Sequence, residues 1–334
     1  MKVLITGGAG FIGSTIASAC LDAGIEPIVI DDLSTGRQEF VTDRPLYVGD
    51  VADGKLLDRV FAEHPQITHV VHCAAKIVVP HSVQRPLEYY RSNVSKLVDM
   101  LSHLERLNCS RLLFSASAAI YRPREDLTVD ESSDLDPQSP YAATKAMGER
   151  ILSDTSAASD LRVLSLRYFN PVGADPLLRS GLQRRRPSHA LGQLIQAYEE
   201  RRPFTITGTD WATRDGTGIR DYIHVWDLAQ AHVAALQRFD VLLPDHGQET
   251  INLGTGHGTT VRELLAAFEA TVGGSLQVVE APRRAGDVIG CYSRSDKALR
   301  LLGWSSERRI ETGIRDSLAW IRRRAAVLPA LTNP

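Results

Sequence analysis

The chain has 334 residues, 43% apolar and 23% charged, with a formal net charge of −2. This describes one large or two modest globular domains and offers no basic field to nucleic acid or a membrane surface. No apolar run reaches the roughly 18 residues of a membrane span, and Met1-Lys2 leads straight into VLITGG with no leader pattern, so the expected location is cytoplasmic.

The predicted elements alternate through the first half. KVLIT (2–6) reads as a strand, FIGSTIASACLDAG (11–24) as a helix, EPIVIDD (26–32) as a strand and DGKLLDRVFAEH (53–64) as a helix. HVVHCAA (69–75) is a strand, 86–107 a long helix, RLLFSASAAIY (111–121) a strand, Tyr141 opens a helix, and LRVLSLRYFN (161–170) is a strand. Strict alternation of this kind predicts an α/β fold, a Rossmann-type doubly wound parallel sheet covered on both faces. After Asn170 the rhythm breaks into an irregular, arginine-rich stretch (171–188). A helix near 189–201, a strand at 204–208 and helices at 225–239 and 259–273 follow. The division expected is a first, sheet-forming domain over 1–170, with some later segments returning to it. A smaller mixed α/β C-terminal substrate lobe would span 171–324, and a frayed tail 325–334.

Between the first strand and helix, Gly7, Gly10 and Gly13 are spaced GxxGxxG around Phe11 and Ile12. Glycines there let the backbone turn tightly and approach a pyrophosphate at a helix N-terminus. Asp31 ends the second strand some 20 residues on, where a carboxylate can accept from both ribose hydroxyls and repel a 2′-phosphate. The cofactor expected is therefore NAD. Asp50, followed by Val51, ends the third strand and could contact the adenine or simply close a turn. A second glycine cluster, LGTGHGTT (253–260), has no following strand with a terminal acid and reads as a turn and helix cap.

Ser117 ends the strand LLFSAS at the carboxyl edge, where open α/β sheets place ligands. Tyr141 and Lys145 lie four apart at the start of the next helix, on one face. A nearby cation favours phenolate and would make tyrosine a usable base, although Ser139-Pro140 is also ordinary helix-start chemistry. The cysteines, Cys20, Cys73, Cys109 and Cys291, form no CxxC pair, so no metal or dithiol site is expected.

These motifs resemble the extended short-chain dehydrogenase/reductase family. SVQRPLEYY, SPYAATK, LRYFNPVGA, DGTGIRDYIHVWDLA and RRAGDV narrow the resemblance to its UDP-glucose 4-epimerase branch, over residues 1 to about 320. The resemblance implies a UDP-sugar substrate, Ser117, Tyr141 and Lys145 as catalytic residues, and dimerisation through helices matching 86–107 and 140–157. It implies cofactor contacts from Cys73, Ala74, Ala75, Asn93 and Tyr168. It places Asn170, His189, Ala190, Arg220, Arg284, Asp287 and Cys291 around the UDP-sugar. Cys291 holds a place where relatives with tyrosine exclude a 2-acetamido group, which implies added turnover of UDP-GlcNAc and UDP-GalNAc. Two positions depart from the pattern: Ile77 stands where relatives carry a phosphate-reaching lysine, with Lys76 one residue early, and Arg122 replaces a glycine. Alternatives kept open are a UDP-glucuronate 4-epimerase and a non-catalytic, regulatory NAD-binding protein. A 4,6-dehydratase is disfavoured because Ala118-Ala119, not an acid, follows Ser117.

Overall fold

The computed structural model describes residues 1–184, 187–284 and 286–328. In chain order its strands are β1 (Lys2–Thr6), β2 (Glu26–Asp31), β3 (Leu46–Val48), β4 (Ile67–His72), β5 (Arg111–Ser117), β6 (Thr128–Val129) and β7 (Arg162–Tyr168). Then come β8 (Asn170–Val172), β9 (Phe204–Thr207), β10 (Ile219–His224), β11 (Gly247–Leu253), β12 (Gly258–Thr260), β13 (Val278–Ala281) and β14 (Tyr292–Ser293). The helices are α1 (Phe11–Asp22), α2 (Gly54–Glu63), α3 (Val79–Gln84), α4 (Pro86–Tyr90), α5 (Lys96–Arg106) and α6 (Pro140–Ala158). They continue with α7 (Ala190–Glu199), α8 (Val225–Leu242), α9 (Val261–Val272), α10 (Asp296–Leu302) and α11 (Ile310–Val327).

Seven strands make one parallel sheet in the order β3-β2-β1-β4-β5-β7-β11. Its strands are apolar without alternation because both faces are covered. Val3 and Ile5 of β1 point into a core shared with α1 and α8, through Ile16, Leu228 and Phe239. Leu4 points the other way, to Leu57 of α2 and Leu97, Met100 and Leu104 of α5. The outermost strand, β11, and the covering helix α8 come from beyond residue 170, so the later half of the chain completes the sheet.

A separate core holds α7, α9 and α11 around β9 and β10, through Leu194, Phe204, Tyr222, Phe268 and Ile314. The short strand β6 reaches across to pair with β14. The LGTGHGTT run is a turn followed by a cap: Thr260 and Glu263 form a reciprocal capping box on α9. The sequence reading ended ordered structure at residue 324, whereas α11 runs to Val327 and Leu328 is buried; residues 329–334 lie outside the described residues. The long helix expected over 86–107 is divided by a π-helical turn at Arg91–Ser95, a feature that often marks functional positions.

Candidate active site

Strand order reverses at β1, which has β2 on one side and β4 on the other. The crevice beyond the carboxyl ends at such a reversal is where open α/β sheets bind ligands. The chain leaves β1 through Gly7, whose φ of +67° suits glycine and whose missing Cβ would lie 2.7 Å from the Ala74 nitrogen. A Cβ on Gly13 would lie 2.3 Å from the Gly7 carbonyl oxygen, so α1 can pack on the turn only with glycine there. At Gly10 a Cβ would meet only that carbonyl, at 3.3 Å. Its absence leaves open space in front of α1. The first turn of α1, with Phe11 and Ile12, has neither a capping side chain nor an acid, so its N–H groups face that space.

Asp31 is buried at the end of β2. Its Oδ2 accepts from Ala9 N–H at 2.9 Å and its Oδ1 from Leu33 N–H at 2.8 Å. Burial raises its pKa against the pull of those two bonds. Each oxygen keeps a further lone pair. An anion cradle beside a fixed diol acceptor fits the pyrophosphate and adenosine ribose of a dinucleotide. Asp50 instead pairs with Lys96 at 2.5 Å and accepts from Ala52 N–H at 3.0 Å, while Val51 is buried in the sheet core.

Ser117 closes β5 directly opposite Tyr168 of β7. Its hydroxyl accepts from Ala119 N–H at 3.2 Å and starts a short turn. Ser139 caps α6 by accepting from Ala142 N–H at 3.2 Å, with Pro140 in the first helical position. This cap fixes the rotation of the helix and delivers Tyr141 and Lys145 to the carboxyl edge beside Ser117. Lys145 is 4% exposed. Its ammonium donates to the Ser115 carbonyl at 2.7 Å and lies 5.0 Å from the centre of the Phe114 ring. Burial lowers its pKa from 10.5 to about 8, opposed by Cys73 and Glu149.

The Tyr141 side chain is buried. Burial raises the phenol's pKa, with only the Ser117 hydroxyl easing it, and the ammonium is turned to a carbonyl. Tyr168 stands close by, its pKa raised well above 10.0 by burial and by Cys73 and Tyr141. The Cys73 thiol accepts from the Ser115 hydroxyl at 3.1 Å, and burial pushes it up to about 11. Ala74 and Ala75 follow it past the end of β4.

Asn93, in the π-helical turn, spends its amide on the chain. It accepts from Lys76 N–H at 2.8 Å and donates to the Lys76 carbonyl at 2.9 Å and to Thr144 at 3.1 Å. It thus pins the segment after β4 to α6. Lys76 reaches Glu88 at 3.2 Å on the surface, and Ile77 is 55% exposed. Arg122 pairs outward with Asp136 at 3.4 Å, which leaves Tyr121 turned into the core.

Of the positions expected around the UDP-sugar, Asn170 opens β8 opposite Tyr222. His189 caps α7, accepting from Gly192 N–H at 3.2 Å, and Ala190 begins that helix. Burial lowers the His189 pKa to about 4, so the ring is neutral. Arg220 donates to the carbonyls of Ile219, Ile289 and Val288 at 2.7, 2.9 and 3.1 Å. Arg284 and Asp287 pair with each other at 3.1 Å. Cys291 packs against a small cluster of Ala118, Tyr121, Val129 and Phe169, which places it next to the Ser117 turn.

The sequence reading missed Asp221. Fully buried in β10, it accepts from Thr255 and Ser293, by backbone N–H and hydroxyl alike, and so ties the LGTG turn to β14. The signal was an acid inside the strand segment IRDYIH, since a carboxylate that packing buries needs donors. Among the described residues no cluster of metal-ligating side chains occurs, and no helix is long and apolar enough to cross a membrane.

A glycine cradle with a diol acceptor, next to a buried serine, tyrosine and lysine, defines a nucleotide-dependent α/β enzyme architecture. The chain belongs to the NAD dependent epimerase/dehydratase family, whose model matches residues 3–254, ending just after β11. It is 42% identical over 324 residues to a UDP-glucose 4-epimerase of Azospirillum brasilense, spanning 96% of this chain and 92% of that one. Its fold matches the crystal structure of UDP-glucose 4-epimerase from Bifidobacterium longum in complex with NAD+ and UDP. The TM-score is 0.90 at 35% identity, covering 97% and 98% of the two chains. It also matches the UDP-Glc/GlcNAc 4-epimerase from Campylobacter jejuni, with a TM-score of 0.81 at 32% identity and 96% and 99% coverage.

Proposed function

We propose that the protein is an NAD-dependent UDP-glucose 4-epimerase, interconverting UDP-glucose and UDP-galactose and also their N-acetylated 2-amino counterparts. The observation that carries this reading is the convergence of Ser117, Tyr141 and Lys145 at the carboxyl edge beside the glycine cradle. Gly7, Gly10, Gly13 and Asp31 would hold NAD, which would supply a reversible hydride acceptor for sugar C4 and a positive charge. Tyr141 takes the proton of the 4-hydroxyl and returns it; with the hydride returned as well, no net redox change would occur. Ser117 hydrogen-bonds the 4-oxygen. Lys145 would add its charge and hold the nicotinamide ribose, and Tyr168, Cys73, Ala74 and Ala75 would help to hold the cofactor. Because burial alone holds the phenol protonated, Tyr141 becomes a base only with a cation at its side.

Arg220 has five donors and spends three bonds on carbonyls, which leaves donors for a diphosphate. Arg284 spends two guanidinium donors on Asp287 and keeps others for a diphosphate, and an exposed pair of this kind holds by no more than about 1 kcal/mol, so it opens readily. Asp287, once released, is placed to accept from a ribose hydroxyl. Asn170, His189 and Ala190 complete the nucleotide-sugar side. A non-catalytic NAD-binding role has no use for the buried Ser117–Tyr141–Lys145 set.

The same reading places the two-lobed protein in the cytoplasm as a homodimer. The proposed partner surface is a second copy seated on Val83, Leu87, Val98 and Met147, exposed apolar residues of α3, α4, α5 and α6. Leu97, Leu101 and Leu104, in the stretch 86–107 expected at the interface, instead face the sheet. The test of function is addition of UDP-galactose to pure protein without added NAD: UDP-glucose should form, and no conversion would refute the reading. Acid extraction should release NAD with little NADP; a predominance of NADP would refute the role given to Asp31.

A further inference from the structure

Behind the reacting groups lies a buried charge network. Glu149, one turn beyond Lys145 on α6, meets Arg167 of β7 in a two-pronged pair, Nε to Oε1 at 2.8 Å and Nη2 to Oε2 at 2.5 Å. Only 8% and 11% of the Arg167 and Glu149 side chains are exposed. Arg167 Nη1 donates to the Tyr121 hydroxyl at 2.8 Å, and its guanidinium lies 4.9 Å from that ring's centre. The Tyr121 hydroxyl donates to Asn252 Oδ1 at 2.7 Å, and Asn252 N–H donates to Glu131 at 2.7 Å. The network therefore runs from the helix of Tyr141 and Lys145, through the strand of Tyr168 and the turn after Ser117, to β11.

Stability does not explain such a pair, because apolar residues of the same volume in its place are often as good or better. Its neighbours do. The groups acting on the Lys145 ammonium are Glu149 from its own helix, Cys73 and His72 from the end of β4, and the Ser115 carbonyl and Phe114 ring from β5. Behind these stand two residues of β7: Tyr168, which bonds Ser115 beside Cys73, and Arg167, which holds Glu149. Burial keeps His72 neutral and Cys73 a thiol at neutral pH. Glu149 is the carboxylate of this set.

We propose that Glu149 is a positioning residue for Lys145: clamped by Arg167 and Tyr121, it keeps the ammonium one turn away protonated and seated on the Ser115 carbonyl. The inference rests on the role given to Lys145 above. Without the anion, burial is opposed only by Cys73, which as a neutral thiol carries no charge to oppose it, and the lysine loses its proton within the working pH range.

The chain has six lysines, so a selectively 13C-labelled lysine spectrum of the NAD-containing protein is sparse, and Lys145→Met identifies the Lys145 Cε signal. In Glu149→Gln its titration midpoint should fall by roughly a pH unit. The alkaline limb of kcat should move the same way, with KM little changed. In Arg167→Met, which leaves the Glu149 anion without its partner, the midpoint should rise. If a single variant does not fold, the charge-neutral double variant Glu149→Gln/Arg167→Met should still lower it, Glu149 being the nearer charge. An unmoved midpoint in folded variants, or shifts of the same sign in both single variants, would overturn the proposal even in an active epimerase. A merely structural role would lower stability and scale kcat equally at every pH. Failure of the epimerase reading shows separately, as no turnover by the parent at any pH, and does not touch the midpoint.

Discussion

Lys145→Met removes a charge and keeps an unbranched stem, so packing over Phe114 changes little. Burial brings the ammonium from 10.5 to about 8. At about 1.4 kcal/mol per pKa unit, carrying that proton in the folded state costs about 3 kcal/mol. Against this, the variant leaves the Ser115 carbonyl without its 2.7 Å donor, a loss of about 1–3 kcal/mol. At pH 7 the variant should therefore be as stable as the parent or up to about 2 kcal/mol more so, while nearly inactive. The pH dependence is the sharper test. The folded pKa lies below the unfolded one, so from pH 8 to 10.5 the unfolded chain holds a proton that the fold has released. Parent stability must rise with pH across that window by about 3 kcal/mol, relative to the variant. Urea denaturation followed by circular dichroism at pH 7, 8, 9 and 10 measures this, with both proteins at one NAD occupancy. A parent-minus-variant difference that stays flat, or falls with pH, would refute the reasoning.

Tyr141→Phe should lose nearly all turnover yet still release NAD on acid extraction; near-normal kcat would remove Tyr141 from the role of base. Ser117→Ala should cost about 10- to 1,000-fold in kcat, because water replaces one hydroxyl in part. Cys291→Tyr puts a ring into the space beside Ala118 and Phe169 and should abolish exchange of UDP-GlcNAc with UDP-GalNAc while largely sparing the plain sugars. A parent inactive on the N-acetylated pair ends that idea. Light scattering at micromolar concentration should give a dimeric mass for the parent and a monomeric one for Leu87→Glu; a monomeric parent rejects the dimer.

The local chemistry was legible in the sequence because it depends on spacing. A helix repeat puts Tyr141 and Lys145 on one face, and Ser139-Pro140 marks where that helix begins. The glycine spacing before α1 and the acid at the end of β2 report a turn whose geometry is settled within a few residues. The alternation of apolar strands with amphipathic helices declared the parallel sheet for the same reason. Which distant segments complete these pieces has no local signature. Strand β11 joins the sheet outside β7, and α8 covers α1, because each buries an apolar face that only the folded chain brings together. The tertiary structure also decided how polar groups are spent. The Asn93 amide went to Lys76 and Thr144, and Asp221 to Thr255 and Ser293. It likewise turned Lys145 to a carbonyl and set Glu149 against Arg167. Sequence spacing names the groups that meet along one helix or turn. Partners across the core are chosen by burial, which obliges each charge and amide to find whatever donor or acceptor the packing brings within reach.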